Sequence, residues 1–535
     1  MKITFLGADR QVTGSCTMIE WLPGRYCLVD YGMEQGENNV VQAELPVAPA
    51  EIEYVFLTHA HIDHSGRLPL LYKNGFRGTV YTTAETMNLC AVMLADSASI
   101  QESDAEWQTK KNQRAGLPPV EPLYTSEDAA AVMKLFRPCR YGEMNLVDEG
   151  LSLRFTDAGH LLGSSFLEVF LQEGDTRKTM VFSGDVGNTN QPIIRDPQPV
   201  KEADFLMIES TYGNRLHERT TDPIPLLTGV LTRTFQRGGT VIIPSFAIGR
   251  TQELLYFIRE IKQRHLVPES LQDFPVYVDS PLANEATAIF LQCGMDCLDD
   301  ETREVMRSGE NPIWFEGLHT VVSADESKAL NGNSEPKVII ASGGMCEGGR
   351  IRHHLKHNLW NEKNTILFVG YQAAGTLGRI IYDGAKTVKI LGEPIESRAE
   401  IAMLSGISGH ADREGLLNWL KAFGKKPAFV FVNHGDEDAS TAFARTVTEE
   451  LGLPAYAPCA GSCYDLARGE WIRLTEPVYR KKKRVKKAEP KKEKDPYAQL
   501  MAAVQKLSAY AGGMRDHANG ELRELTDRIL KLMKD

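Results

Sequence analysis

The sequence contains no apolar run long enough to cross a membrane, and its amino terminus has neither the apolar core nor the small-residue cleavage site of a secretory signal peptide. Cysteine is scarce, because nine residues, an odd number, are spread over 535 positions. That distribution argues against a disulfide framework and predicts reduced thiols. We therefore expect a soluble cytoplasmic protein that makes no contact with a membrane.

The sequence also lacks an excess of positive charge, since 60 Lys and Arg residues stand against 71 Asp and Glu residues, for a net charge of −11. This balance excludes a surface coated with positive charge for duplex binding. A nucleic-acid substrate stays open, because a local basic strip or bound metal ions can coexist with an acidic whole. The length exceeds what one core can hold, so we expect two or three domains.

What the sequence does contain is a dense set of metal-binding side chains in one loop. Directly after the apolar residues 54–57, three histidines and an aspartate fall within six positions, at His59, His61, Asp63 and His64. Residues 54–57 predict a buried strand, and on an extended continuation His59, His61 and Asp63 would leave from one side. A turn after His64 would then bring that residue in. Imidazole and carboxylate groups suit zinc, and four such ligands can serve two ions about 3.5–4 Å apart.

Further candidate ligands follow other predicted strands. His160 comes after residues 151–155 and Asp185 after residues 179–182, each in a glycine-containing loop. Asp30 ends the first three predicted strands beside a glycine turn, where it could orient a metal-bound histidine or simply cap the turn. Because strand ends at one edge of a sheet converge, we expect these side chains to join the histidine loop.

The remaining pattern predicts the organisation of the chain. Residues 1–57 predict a β-meander, and residues 84–115 predict a long helix. Between about 210 and 385, apolar strands alternate with helices, which favours a parallel α/β sheet. A basic low-complexity segment follows residue 480, and residues 497–535 predict one or two amphipathic helices separated by Gly512-Gly513.

Taken in order, these motifs resemble the metallo-β-lactamase superfamily. Three more motifs are similar to those of its β-CASP subgroup, which contains RNase J and the endonuclease subunit of the cleavage-and-polyadenylation machinery. They are Ile208-Glu209-Ser210-Thr211-Tyr212-Gly213, Ser408-Gly409-His410-Ala411-Asp412 and Asn433-His434-Gly435. The resemblance covers roughly residues 1–475.

The resemblance implies a mixed α/β and α+β fold. A metallo-β-lactamase αββα sandwich would be built from residues 1–208 and 376–477, with a parallel-sheet β-CASP domain inserted at residues 209–375. The active site would lie in the cleft between the two, and single-stranded RNA should thread that cleft. Residues 478–496 would form a basic linker that either strengthens RNA binding or is a solvated spacer. The helical tail at 497–535 could mediate a homo-oligomer such as a dimer, or dock an RNA-processing partner.

The resemblance also implies roles for the site residues. One zinc ion would be bound by His59, His61 and His160, and a second by Asp63, His64 and His434. Asp185 and a hydroxide would bridge the two ions, and Asp30 would orient a ligand. Glu209 and His410 would act in catalysis without binding metal. The histidine at position 434 favours RNA, since DNA-processing members of the subgroup usually lack it.

The function implied is that of a zinc-dependent ribonuclease that leaves 3′-hydroxyl and 5′-phosphate ends on single-stranded RNA. Water between two zinc ions has its pKa lowered to roughly 7, which supplies hydroxide at neutral pH. His410, polarised by Glu209, would then protonate the leaving oxygen. Endonucleolytic and 5′-exonucleolytic modes stay open. The alternatives are a catalytically inactive RNA-processing scaffold and a small-molecule metallohydrolase of the same superfamily.

Four residues are candidates for substrate binding. Arg250 follows a glycine at the start of a predicted helix, where it could grip the RNA backbone or serve the structure. The turn at Ser342, Gly343 and Gly344 could offer backbone amides to a phosphate, or be a plain tight turn.

Overall fold

The fold is described from a computed structural model, over residues 1–36, 40–217, 222–373, 375–480, 496–514 and 519–532. The chain forms two compact units, Met1–Arg480 and Lys481–Asp535, which are described separately. Every helix within those ranges is too short or too polar to span a lipid bilayer. All nine cysteines are free thiols.

The first unit begins with six strands of a first sheet and four helices. The strands are β1 (Lys2–Gly7), β2 (Cys16–Leu22), β3 (Arg25–Val29), β4 (Ile52–Phe56), β5 (Thr79–Thr83) and β6 (Phe136–Cys139). The helices are α1 (Ile62–Ser65), α2 (Leu68–Lys73), α3 (Ala84–Arg114) and α4 (Ser126–Val132). Strands β1 to β3 are antiparallel, but β4 runs parallel to β3. The predicted meander therefore ends with β3, because residues 30–51 cross over instead of turning back. The predicted long helix is α3, and the Thr83 hydroxyl caps it by accepting from the Thr86 amide at 3.2 Å.

A second sheet faces the first. Its early strands are β7 (Asn145–Asp148), β8 (Leu151–Asp157), β9 (Ser165–Glu173), β10 (Thr176–Phe182) and β11 (Phe205–Ile208). Strand β8 alternates buried and half-buried side chains, as expected for a strand with one face toward a core. Its Phe155 packs in one buried cluster with Phe5 of β1 and Phe56 of β4, so the two sheets share this core.

The chain then builds a third sheet. The helices of this part are α5 (Pro223–Gln236), α6 (Arg250–Gln263), α7 (Pro281–Gln292), α8 (Asp300–Arg307), α9 (Ala324–Gly332), α10 (Ile351–Asn358) and α11 (Leu377–Tyr382). The strands are β12 (Val241–Ser245), β13 (Val276–Asp279), β14 (Leu318–Thr320), β15 (Val338–Ser342), β16 (Thr365–Phe368), the hairpin β17 (Thr387–Ile390) and β18 (Glu393–Glu396), and β19 (Glu400–Met403). The sheet order is β14-β13-β15-β12-β16-β19, with every pair parallel, which confirms the predicted parallel α/β sheet.

Strand β19 lies beyond residue 375, where the sequence places the end of the inserted domain. That boundary stays a prediction, and the pairing of β19 with β16 favours an end nearer to residue 404. After β19 come α12 (Arg413–Lys421), β20 (Phe429–Val432), α13 (Glu437–Leu451), β21 (Ala455–Tyr456), β22 (Cys463–Asp465) and β23 (Glu470–Arg473).

These late strands return to the first two sheets. The order of the first sheet is β23-β22-β1-β2-β3-β4-β5-β6, and that of the second is β21-β20-β11-β10-β9-β8-β7. Both sheets thus contain strands from before and after the segment that forms the third sheet. This arrangement confirms the expected sandwich with an inserted parallel-sheet domain.

The second unit contains α14 (Pro496–Gly513) and α15 (Asn519–Leu532), which confirms the predicted helical tail. Helix α14 ends at Gly513 and α15 begins at Asn519, so the first helix of the tail ends at the predicted glycine pair. Glycine weakens a helix interior but is tolerated in the last turn, where the chain is about to leave the helix. The linker predicted at 478–496 falls mostly on residues 481–495, which lie outside the described residues.

Candidate metal and catalytic site

Loops that follow β4, β8, β10 and β20 bring seven potential metal ligands together. They are His59, His61, Asp63, His64, His160, Asp185 and His434. All seven are buried or half-buried. The loops meet because their strands belong to two sheets that face each other.

The histidine loop departs from the extended shape expected for it. His61 is the N-cap of α1, so Asp63 and His64 lie on a helical turn. The Ser65 amide donates to the His61 carbonyl at 2.9 Å, which places the start of the turn earlier than predicted. Strand alternation therefore stops at His61, and the turn directs Asp63 and His64 to a different group of ligands from His59 and His61.

The first group consists of His59, His61, His160 and Asp185, whose ligand atoms lie within 4.8 Å of one another. The His61 Nδ1 atom is 3.1 Å from His59 Nε2 and 3.2 Å from His160 Nε2. His160 Nδ1 donates to the Gly409 carbonyl at 2.9 Å, so its Nε2 turns a lone pair toward the other imidazoles. Burial lowers the pKa of His61 to about 3 and that of His160 well below the usual range. Both rings are therefore neutral at physiological pH, which is the form that binds metal.

The second group consists of Asp63, His64 and His434. His64 Nε2 lies 3.0 Å from His434 Nε2. The Asp30 carboxylate accepts a hydrogen bond from His64 Nδ1 at 2.7 Å, so in the neutral ring the lone pair lies on Nε2, the atom that faces His434. Asp30 is itself held by the Thr58 amide at 2.9 Å. The structure thus places Asp30 behind His64, where it can orient that ring.

Asp185 lies between the two groups. Its Oδ2 is 3.3 Å from His59 Nε2 and 3.4 Å from His160 Nε2, whereas its Oδ1 is 3.4 Å from His64 Nε2. Among the described residues, no donor makes a hydrogen bond to that buried Oδ1. A buried carboxylate oxygen without a hydrogen-bond donor lowers the stability of the fold. The lone pairs of the surrounding imidazoles converge around the Oδ1 atom of Asp185. This set of nitrogen and oxygen donors fits two divalent cations, one per group, with the aspartate between them.

Glu209 and His410 lie beside the first group. The ring centroid of His410 is 4.5 Å from that of His160. Glu209 is 1% exposed, and its Oε1 accepts from His410 Nδ1 at 3.1 Å and from the Val186 amide at 2.8 Å. Its Oε2 accepts from the Thr211 amide at 3.2 Å. The ligand atoms of Asp185, Glu209 and His410 also lie within 4.8 Å of one another. Both oxygens of Glu209 already accept hydrogen bonds, however, whereas Oδ1 of Asp185 accepts none among the described residues.

The electrostatics of His410 favour a charged imidazolium. Burial acts to lower its pKa, but the negative charges of Glu209 and Asp185 outweigh burial and raise the pKa to about 9. Its Nε2 makes no hydrogen bond to any part of the chain that the structure describes, and about a quarter of the side chain is exposed. A proton on Nε2 is therefore available to a ligand that reaches this ring.

Sequence reasoning missed the residues that hold these groups in place. His217 donates through Nε2 to the His410 carbonyl at 2.8 Å, and its amide donates to the Asp412 carboxylate at 2.9 Å. Thr58 and Thr211 support Asp30 and Glu209. His217 and Thr58 belong to no spacing pattern, so nothing in the sequence indicated their roles. Thr211 lies in the motif at 208–213, but the motif alone did not predict its contact with Glu209.

The four candidates for substrate binding make contacts within the protein. Arg250 forms an ion pair with Glu253, and only a tenth of its side chain is exposed. The Gly343 amide donates to the Ser245 carbonyl at 3.1 Å, and the Gly344 carbonyl accepts from Gln372 Nε2 at 2.9 Å. Binding of RNA by Arg250 and by Ser342, Gly343 and Gly344 stays a prediction. The ion pair of Arg250 and the hydrogen bond of the Gly343 amide weigh against it for those two residues.

Comparison with known proteins places this geometry in a family. Residues 9–130 match the model of the metallo-beta-lactamase superfamily, residues 251–381 the Beta-Casp domain, and residues 394–458 the Zn-dependent metallo-hydrolase RNA specificity domain. Ribonuclease TTHA0252 of Thermus thermophilus is 37% identical over 460 residues, which are 85% of this chain and 99% of that protein. Transcription termination factor FttA of Methanosarcina mazei is 32% identical over 85% of this chain and 70% of its own length. An RNase J-like protein of Methanocaldococcus jannaschii is 30% identical over 86% of this chain and 98% of its own length. The chain therefore belongs to the β-CASP group of the metallo-β-lactamase superfamily.

Proposed function

We propose that this protein is a zinc-dependent ribonuclease that hydrolyses phosphodiester bonds of single-stranded RNA and leaves 3′-hydroxyl and 5′-phosphate ends. The observation that carries the proposal is the Glu209–His410 pair beside two groups of convergent metal ligands. Phosphodiester hydrolysis needs positive charge at the phosphoryl oxygens and a proton for the leaving oxygen. Relatives named as ribonucleases, and a matching domain named for RNA specificity, support RNA as the substrate.

The ligand groups would hold two zinc ions. His59, His61 and His160 would bind one ion, Asp63, His64 and His434 the other, and Asp185 would contact both. Bound there, the ions would supply a hydroxide nucleophile at neutral pH and neutralise the phosphoryl oxygens. Asp30 would keep His64 in the tautomer that binds metal, because it accepts the Nδ1 proton.

His410 would act as the general acid. As the oxygen of water joins phosphorus, the bond from phosphorus to O3′ breaks, and O3′ takes the proton from His410 Nε2. The downstream product keeps the phosphate at its 5′ end. Glu209 would stabilise the imidazolium before transfer, and its own position is fixed by the Val186 and Thr211 amides. A positioned acid of this kind contributes on the order of 10²–10⁴ in rate.

The large cleft beside the site has the wrong charge for the expected RNA path. It has a volume of about 1390 Å³, and His217, Ser408 and Asp412 line its border with the catalytic loop. Two arginines, Arg195 and Arg264, line it with nine carboxylates: Asp196, Asp222, Glu253, Glu260, Asp299, Asp300, Glu301, Asp412 and Glu414. This excess of negative charge would repel a phosphate backbone. Threading of RNA through this cleft is therefore not part of the proposal.

The thiols and the helical tail bear on the compartment and the assembly. Nine free cysteines support a reducing compartment, so we propose a cytoplasmic location. On α14, the side chains of Leu500, Val504, Leu507 and Tyr510 are exposed at helical spacing. Such a face suits self-association or an RNA-processing partner, and the role of the tail stays a prediction.

The test is digestion of a 5′-labelled single-stranded RNA by zinc-loaded protein, with duplex RNA, single-stranded DNA and a thioester in parallel. We expect cleavage of the single-stranded RNA, products that a 5′-phosphate-dependent exonuclease can degrade, and loss of cleavage in His410→Ala. Hydrolysis of the thioester alone would identify a small-molecule metallohydrolase instead. Protein that binds no zinc under any loading condition and cleaves nothing would be the inactive scaffold. The lengths of the labelled products separate endonucleolytic from 5′-exonucleolytic cleavage.

A further inference from the structure

Two half-exposed aromatic rings lie at one edge of the inserted parallel sheet. Phe246 directly follows β12 and is 49% exposed, and Tyr371 follows β16 and is 50% exposed. Because β12 and β16 are parallel neighbours, both rings lie at the carboxyl edge of the sheet. Large apolar side chains at such an edge are candidates for ligand contact.

Two glycine turns lie beside the ring of Phe246, and Gly344 leaves room for it. A Cβ atom built on Gly344 would lie 3.3 Å from the nearest atom of the Phe246 ring, and one built on Gly370 would lie 3.8 Å from it. The ring therefore packs against the backbone of both turns. This packing gives Gly344 a purpose that does not involve a phosphate.

Arg215 connects these rings to the catalytic histidine. Its guanidinium carbon is 5.6 Å from the ring centroid of Tyr371 and 4.6 Å from that of Tyr212. The Tyr212 ring is in turn 6.1 Å from the ring of His410. We call Tyr212, Arg215, Tyr371 and Phe246 the aromatic strip. Arg215 is exposed and forms no ion pair with any residue that the structure describes, so its charge is available to a ligand.

The inner end of the aromatic strip is fixed to the catalytic loop. The Arg215 carbonyl accepts from the Arg413 amide at 3.1 Å. Two residues later, His217 contacts both Asp412 and the carbonyl of His410. The inner end of the strip therefore keeps a set position relative to the proton donor, which a substrate subsite requires.

We propose that the aromatic strip binds the RNA nucleotides next to the scissile phosphate, with bases stacked on Tyr371 and Phe246 and a phosphate on Arg215. The proposal rests on the ribonuclease function proposed above and deepens it. Stacking on aromatic rings suits single strands, because every base has a π-face whatever its sequence. A free planar guanidinium binds phosphate with two parallel hydrogen bonds. The excess of carboxylates in the large cleft would repel the phosphate backbone, so the strand leaves the site over the strip.

The test removes bases from the substrate and rings from the protein. Single-stranded RNAs with one fixed cleavage position each carry one abasic nucleotide, placed at successive positions on either side of it. For the wild type, we expect one or two neighbouring abasic positions to raise KM about fivefold to a hundredfold. Tyr371→Ala should raise KM for intact RNA to a similar degree. In that variant, the abasic nucleotide at the matching position should have no further effect.

Matched variants separate stacking from structure. Tyr371→Phe keeps the ring and should retain the sensitivity to the matching abasic position that Tyr371→Ala abolishes. Trp360→Ala removes another half-exposed ring of the same domain, but one that precedes β16 and so lies at the opposite edge of the sheet. It should leave KM unchanged for every substrate. If every abasic nucleotide raises KM as much in Tyr371→Ala as in the wild type, the strip is not a base-binding site. The same conclusion follows if Trp360→Ala raises KM as Tyr371→Ala does. A wild type that cleaves no RNA would refute the ribonuclease proposal itself.

Arg215 has its own test. Arg215→Gln should weaken RNA binding and lower the slope of log affinity against log salt by the equivalent of about one neutralised phosphate, whereas Arg215→Lys should retain the slope. Wild type and variants are compared by fluorescence anisotropy with a cleavage-resistant RNA. An unchanged salt slope in Arg215→Gln would exclude phosphate binding by this side chain.

Discussion

At the scale of single residues, the site separates metal ligands from a proton donor. His410 contacts Glu209 and lies against His160 without belonging to either ligand group of histidines. We expect His410→Ala to keep its zinc content and to lose roughly 10²–10⁴ in kcat, because an acid is removed and not a ligand. Metal analysis and single-turnover cleavage measure the two effects. His353→Ala, which removes an exposed histidine, is the matched control. Loss of zinc from His410→Ala would contradict this assignment.

The two ligand groups make a second residue-scale prediction. Asp63 and His434 belong to the second ligand group, whose third member is His64. We expect Asp63→Ala and His434→Ala each to retain zinc in the first group and to lose it from the second, since each removes one of three ligands there. Zinc content per chain, measured after dialysis, should fall to about half. His160→Ala should deplete the other group. Full zinc content in Asp63→Ala would show that Asp63 is not a ligand.

At the scale of elements, a buried polar network holds the inserted sheet to two helices. Asp279, at the end of β13, is fully buried. Its Oδ2 accepts from His354 of α10 and from Ser327 of α9, at 2.6 and 2.5 Å, and its Oδ1 accepts from Arg350 at 2.6 Å. Of the adjacent histidines at 353 and 354, only His354 enters this network. Its contacts indicate a structural role.

We expect Asp279→Ala to lower the free energy of unfolding of the inserted domain by about 3 kcal/mol, because it leaves His354 and Arg350 without their partner. Hydrogen exchange of the backbone amides in the third sheet, measured at increasing urea concentrations, gives this free energy of unfolding. Burial acts to raise the pKa of Asp279, but hydrogen bonds from His354, Ser327 and Arg350 hold it below 3.8. The stabilisation should therefore be complete above pH 3.8 and decline as pH falls further. Asp325→Ala, at an exposed carboxylate, should not change the unfolding midpoint.

The elements that carry the site differ in how far the sequence predicts them. Residues 54–57 and 179–182 are apolar and end in loops with ligands, so their strands follow from local pattern. Helix α1 does not, because one apolar and three polar residues carry no helical period and the turn is held by other segments. The Tyr31 amide, for example, donates to the His64 carbonyl at 2.8 Å. The place of β19 in the third sheet is not predicted either, since a half-buried strand of four residues depends on its partner β16 for its position.

At the scale of the whole molecule, distance along the chain decides what the sequence predicts. His434 lies 370 residues from His64, and only the resemblance of their motifs joined them before the structure did. No motif in the sequence indicated the negative charge of the large cleft. Its carboxylates come from segments between Asp196 and Glu414 that look like ordinary solvated surface when taken singly. The aromatic strip likewise joins residues as far apart in the chain as Tyr212 and Tyr371, so neither local pattern nor net charge could have located the proposed RNA path.

The last prediction concerns the second unit. A chain that ends at Arg480 keeps the whole first unit with every site residue, so we expect an unchanged kcat. It loses residues 481–494, where nine Lys and Arg residues stand against two Glu residues. RNA affinity should therefore fall. The slope of log affinity against log salt concentration should become shallower by about 0.7 for each phosphate that these cations neutralise in the full chain. Binding titrations between about 50 and 200 mM salt measure this. A chain that ends at Asp495 keeps the basic segment without the helices and should bind as the full chain does. If it binds as weakly as the shorter chain, the helices and not the basic segment contribute the affinity.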